Sequence, residues 1–380
     1  MKLLTLIGST GSIGRQTLQV VRHYPDKFKV KGLIAHSDWE NLIKQANEFR
    51  PEFIALTNKE ASEKLVSSGY SGKILPYDTA LEDCVTPDLD VVLVACSGIN
   101  GLIPTLKAIS YNVDVALANK ETLVVGGELV KSALKGSSSN LYPVDSEHSA
   151  IWQSINGNDR KDIKRIIITA SGGAFRDLKK EELYAVKAKD ALKHPNWNMG
   201  KKITIDCATL MNKGLEIIEA SFLFDVEVGK VVPIIHPESI IHSMVEYNDG
   251  AVMAQMGTPS MVLPIQYALT YPERLETGVS QVDFLKVRKL NFYEPDRDRF
   301  PCLRIAEEVG RVGGLLRTAM NAANDVAVDL FLKDKIGFME IPELVLGEVN
   351  KFQNKKDFNL FDVLTCDREI KEKIYSKYGV

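Results

Sequence analysis

Leu3-Leu4-Thr5-Leu6-Ile7-Gly8-Ser9-Thr10-Gly11-Ser12-Ile13-Gly14 runs from an apolar segment through glycines into an amphipathic stretch at 16–23. A strand that feeds a helix through a glycine turn leaves amides unpaired at the helix N-terminus, where a pyrophosphate can sit. The spacing G-x-x-G-x-x-G is one residue off the commonest dinucleotide fingerprint, so on spacing alone an ordinary strand-to-helix turn stays open. Outward from this stretch, short apolar runs at 28–34, 53–56, 91–95, 113–117 and 141–144 alternate with amphipathic stretches at 40–49 and 102–110. That alternation predicts a parallel sheet covered by helices on both faces.

After about residue 145 the rhythm changes. Strands are expected at 163–169, 202–206, 231–235, 240–247 and 251–256, with one long helix at about 209–224. Asn248-Asp249-Gly250 is a hairpin-turn signal between the last two. Strands around a single helix predict an α+β domain over 149–271. Residues 272–298, rich in Pro, Asp and Arg, read as a linker, and 299–380 as a small helical domain.

A chain of 380 residues is too long for one ordinary core. With 45 % apolar and 26 % charged residues it has the composition of a soluble globular protein. A net charge of −3 gives no field that would recruit nucleic acid or an anionic membrane, so neither is expected as a partner. No apolar run is long enough for a membrane span, and the chain opens on a strand rather than a signal or transit peptide. The five cysteines, Cys84, Cys96, Cys207, Cys302 and Cys366, are scattered without a C-x-x-C pair. That suits reduced thiols in the cytoplasm and argues against a disulfide framework or a zinc site.

Four segments carry chemistry. Ala118-Asn119-Lys120-Glu121 falls at the carboxyl edge of the expected sheet, where ligands bind; a capped helix start with an exposed Lys–Glu pair explains it equally well. In an extended Asp145-Ser146-Glu147 both carboxylates point to one side and offer hard oxygens to magnesium or manganese. Taken alone, it reads better as a solvated helix N-cap. In the helix at 209–224, Met211, Leu215, Ile218 and Phe222 make an apolar stripe, with Asn212, Lys213 and Glu216 sharing the opposite side. By itself that side is slightly better explained as a solvent face. Ser171-Gly172-Gly173 offers a hydroxyl and free amides to an anion, and His194-Pro195-Asn196-Trp197-Asn198-Met199-Gly200 suits a lid over 171–200 that closes on a substrate. A Trp197 packed in the core with His194 at the surface stays open. The second strand ends Ile34-Ala35-His36-Ser37-Asp38 with no acid at its tip, which favours a 2′-phosphorylated cofactor, although no arginine stands there to meet the phosphate.

In order and wording, residues 8–14, 118–123, 143–148, 171–175, 194–200, 211–216 and 263–268 together resemble the 1-deoxy-D-xylulose 5-phosphate reductoisomerase family. Asn321-Ala322-Ala323-Asn324-Asp325-Val326-Ala327-Val328 is similar to that family's C-terminal helical signature, and the likeness runs from residue 1 to about 370. The resemblance implies a Rossmann-like domain at 1–148, a catalytic domain, a linker and a helical domain. It implies the second step of the non-mevalonate isoprenoid route, in which a phosphorylated 1-deoxypentulose is rearranged and reduced by NADPH to 2-C-methyl-D-erythritol 4-phosphate. It also implies a cytoplasmic homodimer with magnesium or manganese as metal. Carried over residue by residue, Asp145, Glu147 and Glu216 hold the metal and, with Lys120, serve catalysis. Lys120, Ser146, Glu147, Ser171, His194, Trp197, Cys207, Asn212, Lys213 and Glu216 contact the phosphosugar. Gly8, Thr10, Gly11, Ser12, Ile13, Ser37, Asn119, Glu121 and Gly200 meet the nucleotide.

Two departures stand out. Cys207 occupies a position where the family usually has a serine, and a thiol is a much weaker donor to phosphate. His36-Ser37-Asp38 replaces the usual Gly, basic residue and Asn, and Asp38 would repel a 2′-phosphate, so fuller use of NADH is expected. Two rivals remain: a semialdehyde dehydrogenase with Cys96 as nucleophile, and a non-catalytic nucleotide-sensing module.

Overall fold

The computed structural model of the protein describes residues 1–192 and 199–379, and its contacts divide into two compact units. The first comprises 1–123, 128–149 and 260–279. It contains seven strands: β1 Lys2–Ile7, β2 Phe28–Ala35, β3 Phe53–Leu56, β4 Lys73–Ile74, β5 Val91–Val94, β6 Asp114–Leu117 and β7 Leu141–Pro143. They pair in parallel in the order β4-β3-β2-β1-β5-β6-β7. The order reverses at β1, which lies between β2 and β5, and ligands bind beyond the carboxyl ends of strands at such a switch.

The core of this unit is a cluster of Leu, Ile and Val side chains, with Leu4, Leu6, Leu33 and Leu93 fully buried. The helix Val262–Thr270 packs against the helix Ser12–His23 and adds Val262, Ile265, Ala268 and Leu269 to the cluster. This corrects the expected boundary at 271: residues 260–279 complete the first core rather than the second domain. An apolar helix that follows a strand pair joins whichever core it can seal, and its sequence alone does not say which.

The second unit comprises 124–127, 150–259 and 280–380. Its strands β8 Ile163–Ala170, β9 Val231–Ile235, β10 Ile241–Tyr247 and β11 Val252–Met256 form a mixed sheet in the order β11-β10-β8-β9. The C-terminal helices Pro301–Val312, Leu316–Leu332, Glu340–Lys351 and Leu360–Tyr378 cluster with it instead of standing apart at 299–380. The helix Met211–Phe224 packs so closely on Pro301–Val312 that a Cβ on Gly214 would lie 2.3 Å from that of Ala306.

The expected strand at 202–206 is instead the helix Lys201–Ala208. Its alternating isoleucines imitate a strand, but Lys202 and Asp206 pair across one turn at 2.9 Å, and Thr204, Ile205 and Ala208 are buried along one helical side. Among the described residues no helix is long and apolar enough to cross a membrane.

Candidate functional site

In the first unit the expected nucleotide residues gather at the carboxyl edge of the sheet. Gly8 has φ +89°, and a Cβ there would sit 2.4 Å from the Ala95 carbonyl oxygen; on Gly14 it would sit 2.2 Å from that of Gly8. Glycine at both positions is therefore demanded by the turn itself. The helix Ser12–His23 begins after Gly11 without a side-chain cap, which leaves its first amides for an incoming anion. Ser37 is exposed just past the end of β2. Asp38 caps the next helix, accepting from the amide of Asn41 at 3.2 Å and from its Nδ2 at 2.8 Å.

Asn119 builds the rim of this edge. Its Nδ2 donates to the carbonyls of Cys96 at 2.7 Å and Gly98 at 2.8 Å, and its Oδ1 accepts from the Thr122 amide at 2.8 Å and from the Thr122 hydroxyl. Both amide hydrogens are in use, so the side chain assigned to the cofactor from sequence is committed to holding two loops together. Glu121 lies 3.2 Å from the same Nδ2. Burial, reinforced by Glu121, pushes the Cys96 thiol up to about 12. A thiol that stays protonated near neutrality is a poor nucleophile, which weighs against Cys96 in the role the dehydrogenase alternative gives it.

Asp145 follows β7, and Ser146 starts the helix Ser146–Ile155, so Asp145-Ser146-Glu147 is not extended as expected. The two carboxylates still converge: they offer oxygens within 4.8 Å of each other. Lys120 Nζ pairs with Asp145 Oδ2 at 2.7 Å, and Ser146 Oγ donates to Glu147 Oε2 at 2.6 Å. His148, not singled out as a site residue from sequence, is fully buried with Nδ1 3.9 Å from Asp145. Its spacing of three from Asp145 was the available signal.

In the second unit the polar side of Met211–Phe224 is buried, not solvated: Asn212 is 8 %, Lys213 3 % and Glu216 1 % exposed. Asn212 Nδ2 donates to Glu216 Oε1 at 2.5 Å, and Lys213 Nζ donates to Oε2. Charges are removed from water in this way only when paired or when they hold a ligand, so the solvent-face explanation fails. Glu219, one turn further on and fully buried, extends that side and was also missed.

Ser171 sits at the end of β8, its Oγ accepting from the Gly173 amide at 3.3 Å. Gly173, at φ +73°, lies against the end of Lys201–Ala208: a Cβ there would be 2.4 Å from the Cys207 carbonyl oxygen and 2.8 Å from Ala208 Cα. That approach brings the Ser171 turn to Cys207. Gly200 is the exposed N-cap of the same helix. His194 and Trp197 lie outside the described residues.

The donor chemistry fits the implied groups. Asp145, Glu147 and Glu216 supply only hard carboxylate oxygens, and Ser171, Asn212 and Lys213 supply the hydroxyl, amide and ammonium donors that bind phosphate.

Known proteins resemble this chain over its whole length. Residues 4–127 match the family model for 1-deoxy-D-xylulose 5-phosphate reductoisomerase, 141–224 that for its C-terminal domain, and 256–373 that for the DXP reductoisomerase C-terminal domain. A Clostridium botulinum 1-deoxy-D-xylulose 5-phosphate reductoisomerase is 47 % identical over 390 aligned residues, covering 100 % of both chains. The structure of the Zymomonas mobilis reductoisomerase in complex with NADPH superimposes with a TM-score of 0.91 at 38 % identity, covering 99 % of each chain. A DOX-P reductoisomerase in complex with NADPH, fosmidomycin and magnesium gives 0.93 at 37 %, covering 100 % of this chain and 98 % of that one.

Proposed function

The chain belongs to the 1-deoxy-D-xylulose 5-phosphate reductoisomerase family, and from that premise we propose which of its residues carry the family's reaction. The protein is an NADPH- and divalent-metal-dependent oxidoreductase that isomerises and reduces 1-deoxy-D-xylulose 5-phosphate to 2-C-methyl-D-erythritol 4-phosphate. When bound, the magnesium or manganese ion polarises the substrate's carbonyl and neighbouring hydroxyl, and NADPH supplies the hydride.

Asp145, Glu147 and Glu216 are proposed as the metal ligands. Lys120 neutralises Asp145 and, with Ser146, presents donors to the sugar oxygens. Ser171, Cys207, Asn212 and Lys213, helped by His194 and Trp197, are assigned to the phosphate end. Binding energy from that remote phosphate can then be used to close the lid at 171–200 and exclude water. Thr10, Gly11, Ser12 and Ile13 hold the nucleotide phosphates on helix amides, with Gly8, Ser37, Glu121 and Gly200 around the rest. Asn119 acts by shaping the loops on either side.

The observation that carries this assignment is the burial of Lys213 and Glu216 at 3 % and 1 % exposure on one helix side. We further propose a cytoplasmic homodimer, as the resemblance implies; the five free cysteines suit a reducing compartment. The test follows nicotinamide absorbance with 1-deoxy-D-xylulose 5-phosphate, with and without magnesium or manganese. NADPH oxidation that requires both substrate and metal is expected, and oxidation undiminished by EDTA would overturn the metal assignment.

A further inference from the structure

Lys201–Ala208 is held from the C-terminal side by a set of directed polar contacts. Asp206 is 2 % exposed. Its Oδ1 accepts from Asn324 Nδ2 at 2.8 Å and its Oδ2 from Lys202 Nζ at 2.9 Å. Lys202 Nζ is also 3.2 Å from Asp325 Oδ1, and Lys371 joins Asp325 and Asp367 at 2.9 Å each. Asn324 and Asp325 lie on Leu316–Leu332, and Asp367 and Lys371 on Leu360–Tyr378. Three helices thus meet through alternating charges.

Apolar packing alone would hold such a helix without fixing its rotation. Hydrogen bonds to a buried carboxylate do fix it, and a slip of one residue turns the helix by about 100°. One residue after Asp206 stands Cys207, whose backbone, with that of Ala208, lies against Gly173 and, through it, Ser171. The network and the Gly173 contact together hold the helix and set where the Cys207 side chain and the Ser171 hydroxyl stand.

We propose that Asp206 and Asn324, supported by Lys202, Asp325 and Lys371, are positioning residues for the phosphate end of the substrate site, through which the C-terminal helices tune phosphate recognition. This rests on the assignment of Ser171 and Cys207 to that end. In this proposal the network acts through the helix.

The test uses the full chain with Asn324→Ala and, as a milder change at a partly exposed position, Lys371→Gln. Asn324→Ala should raise KM for 1-deoxy-D-xylulose 5-phosphate about tenfold, as expected when a hydrogen bond to a charged group is lost, with kcat and KM for NADPH within about twofold. The concentration of inorganic phosphate that half-maximally shifts the melting temperature should rise by the same factor. Lys371→Gln should move both in the same direction and less. Any benefit of Cys207→Ser should shrink in the Asn324→Ala background. A proportional change in kcat and both KM values with unaltered phosphate protection would overturn the proposal, as would a Cys207→Ser effect that is fully additive. Because phosphate protection is read without turnover, a wild-type chain inactive on the phosphosugar would overturn the functional assignment and leave the positioning proposal to be decided by the phosphate shifts.

Discussion

Gly173→Ala is the sharpest single perturbation the structure offers. At φ +73° a Cβ-bearing residue pays about 1–2 kcal/mol for the left-handed region. The new methyl would also lie 2.4 Å from the Cys207 carbonyl oxygen and 2.8 Å from Ala208 Cα, both backbone atoms that cannot rotate away. Relieving that overlap requires the turn and the helix to separate, at an overpacking cost of about 1–3 kcal/mol. The sum, about 2–5 kcal/mol, corresponds to a fall in Tm of about 3–6 °C for a protein of this size. Gly172→Ala is the internal control. Its φ is +87°, but the added Cβ meets the flexible Arg176 side chain and an Ile235 methyl at 3.0–3.1 Å, so mainly the conformational cost applies. Scanning fluorimetry of both variants isolates the close approach. Because Ser171 and Cys207 move apart only in Gly173→Ala, that variant should also lose about 10²-fold in kcat/KM for the phosphosugar, a loss typical of misplacement by about 1 Å. Equal melting temperatures for the two variants, with unchanged kcat/KM in Gly173→Ala, would refute the reasoning.

Asp38→Asn keeps the helix cap and removes a negative charge near the 2′-phosphate position. The ratio of kcat/KM for NADPH over NADH should rise about threefold, and more at low salt. Cys207→Ser supplies a full O–H donor and should lower KM for the phosphosugar about three- to tenfold with kcat little changed, as measured by initial rates. Cys96→Ala should remain active, and iodoacetamide should leave Cys96 unlabelled in the native protein at pH 8, with mass spectrometry as the readout. Burial raises the thiols of Cys84, Cys96, Cys302 and Cys366, the last three to about 12. Stability from these groups is complete below the unfolded thiol range and is lost as pH rises from there toward the folded values. Alkaline melting curves should therefore steepen above about pH 9, by about 1.4 kcal/mol per pH unit for each thiol, and flatten in Cys302→Ala.

The nucleotide-binding sheet was legible because its strands are short apolar runs separated by polar, amphipathic stretches, so 3–7, 28–34 and 53–56 fall almost on β1, β2 and β3. The segment 202–206 was not, because Ile203 and Ile205 alternate with polar residues while the interactions that make it helical reach Asn324, far along the chain. Asp145-Ser146-Glu147 could be read as an extended ligand pair or as a helix N-cap; the segment turns into a helix, and its two carboxylates converge because Glu147 lies in that helix's first turn. On Met211–Phe224 the polar spacing was visible, but burial of that side is a tertiary fact that periodicity does not encode. For Asn119 the position at the sheet edge was visible and its partners were not, since the carbonyls it binds belong to the segment after β5.

The return of residues 260–279 to the first unit has a consequence for biosynthesis. A ribosome that has released only the first 150 residues has made every strand of the parallel sheet, yet the surface later sealed by Val262, Ile265, Ala268 and Leu269 is still wet and apolar. The dinucleotide half therefore cannot finish folding as an early, independent product. A polypeptide truncated there would be sticky and prone to proteolysis, whereas supplying Val262–Thr270 in tandem would rescue it.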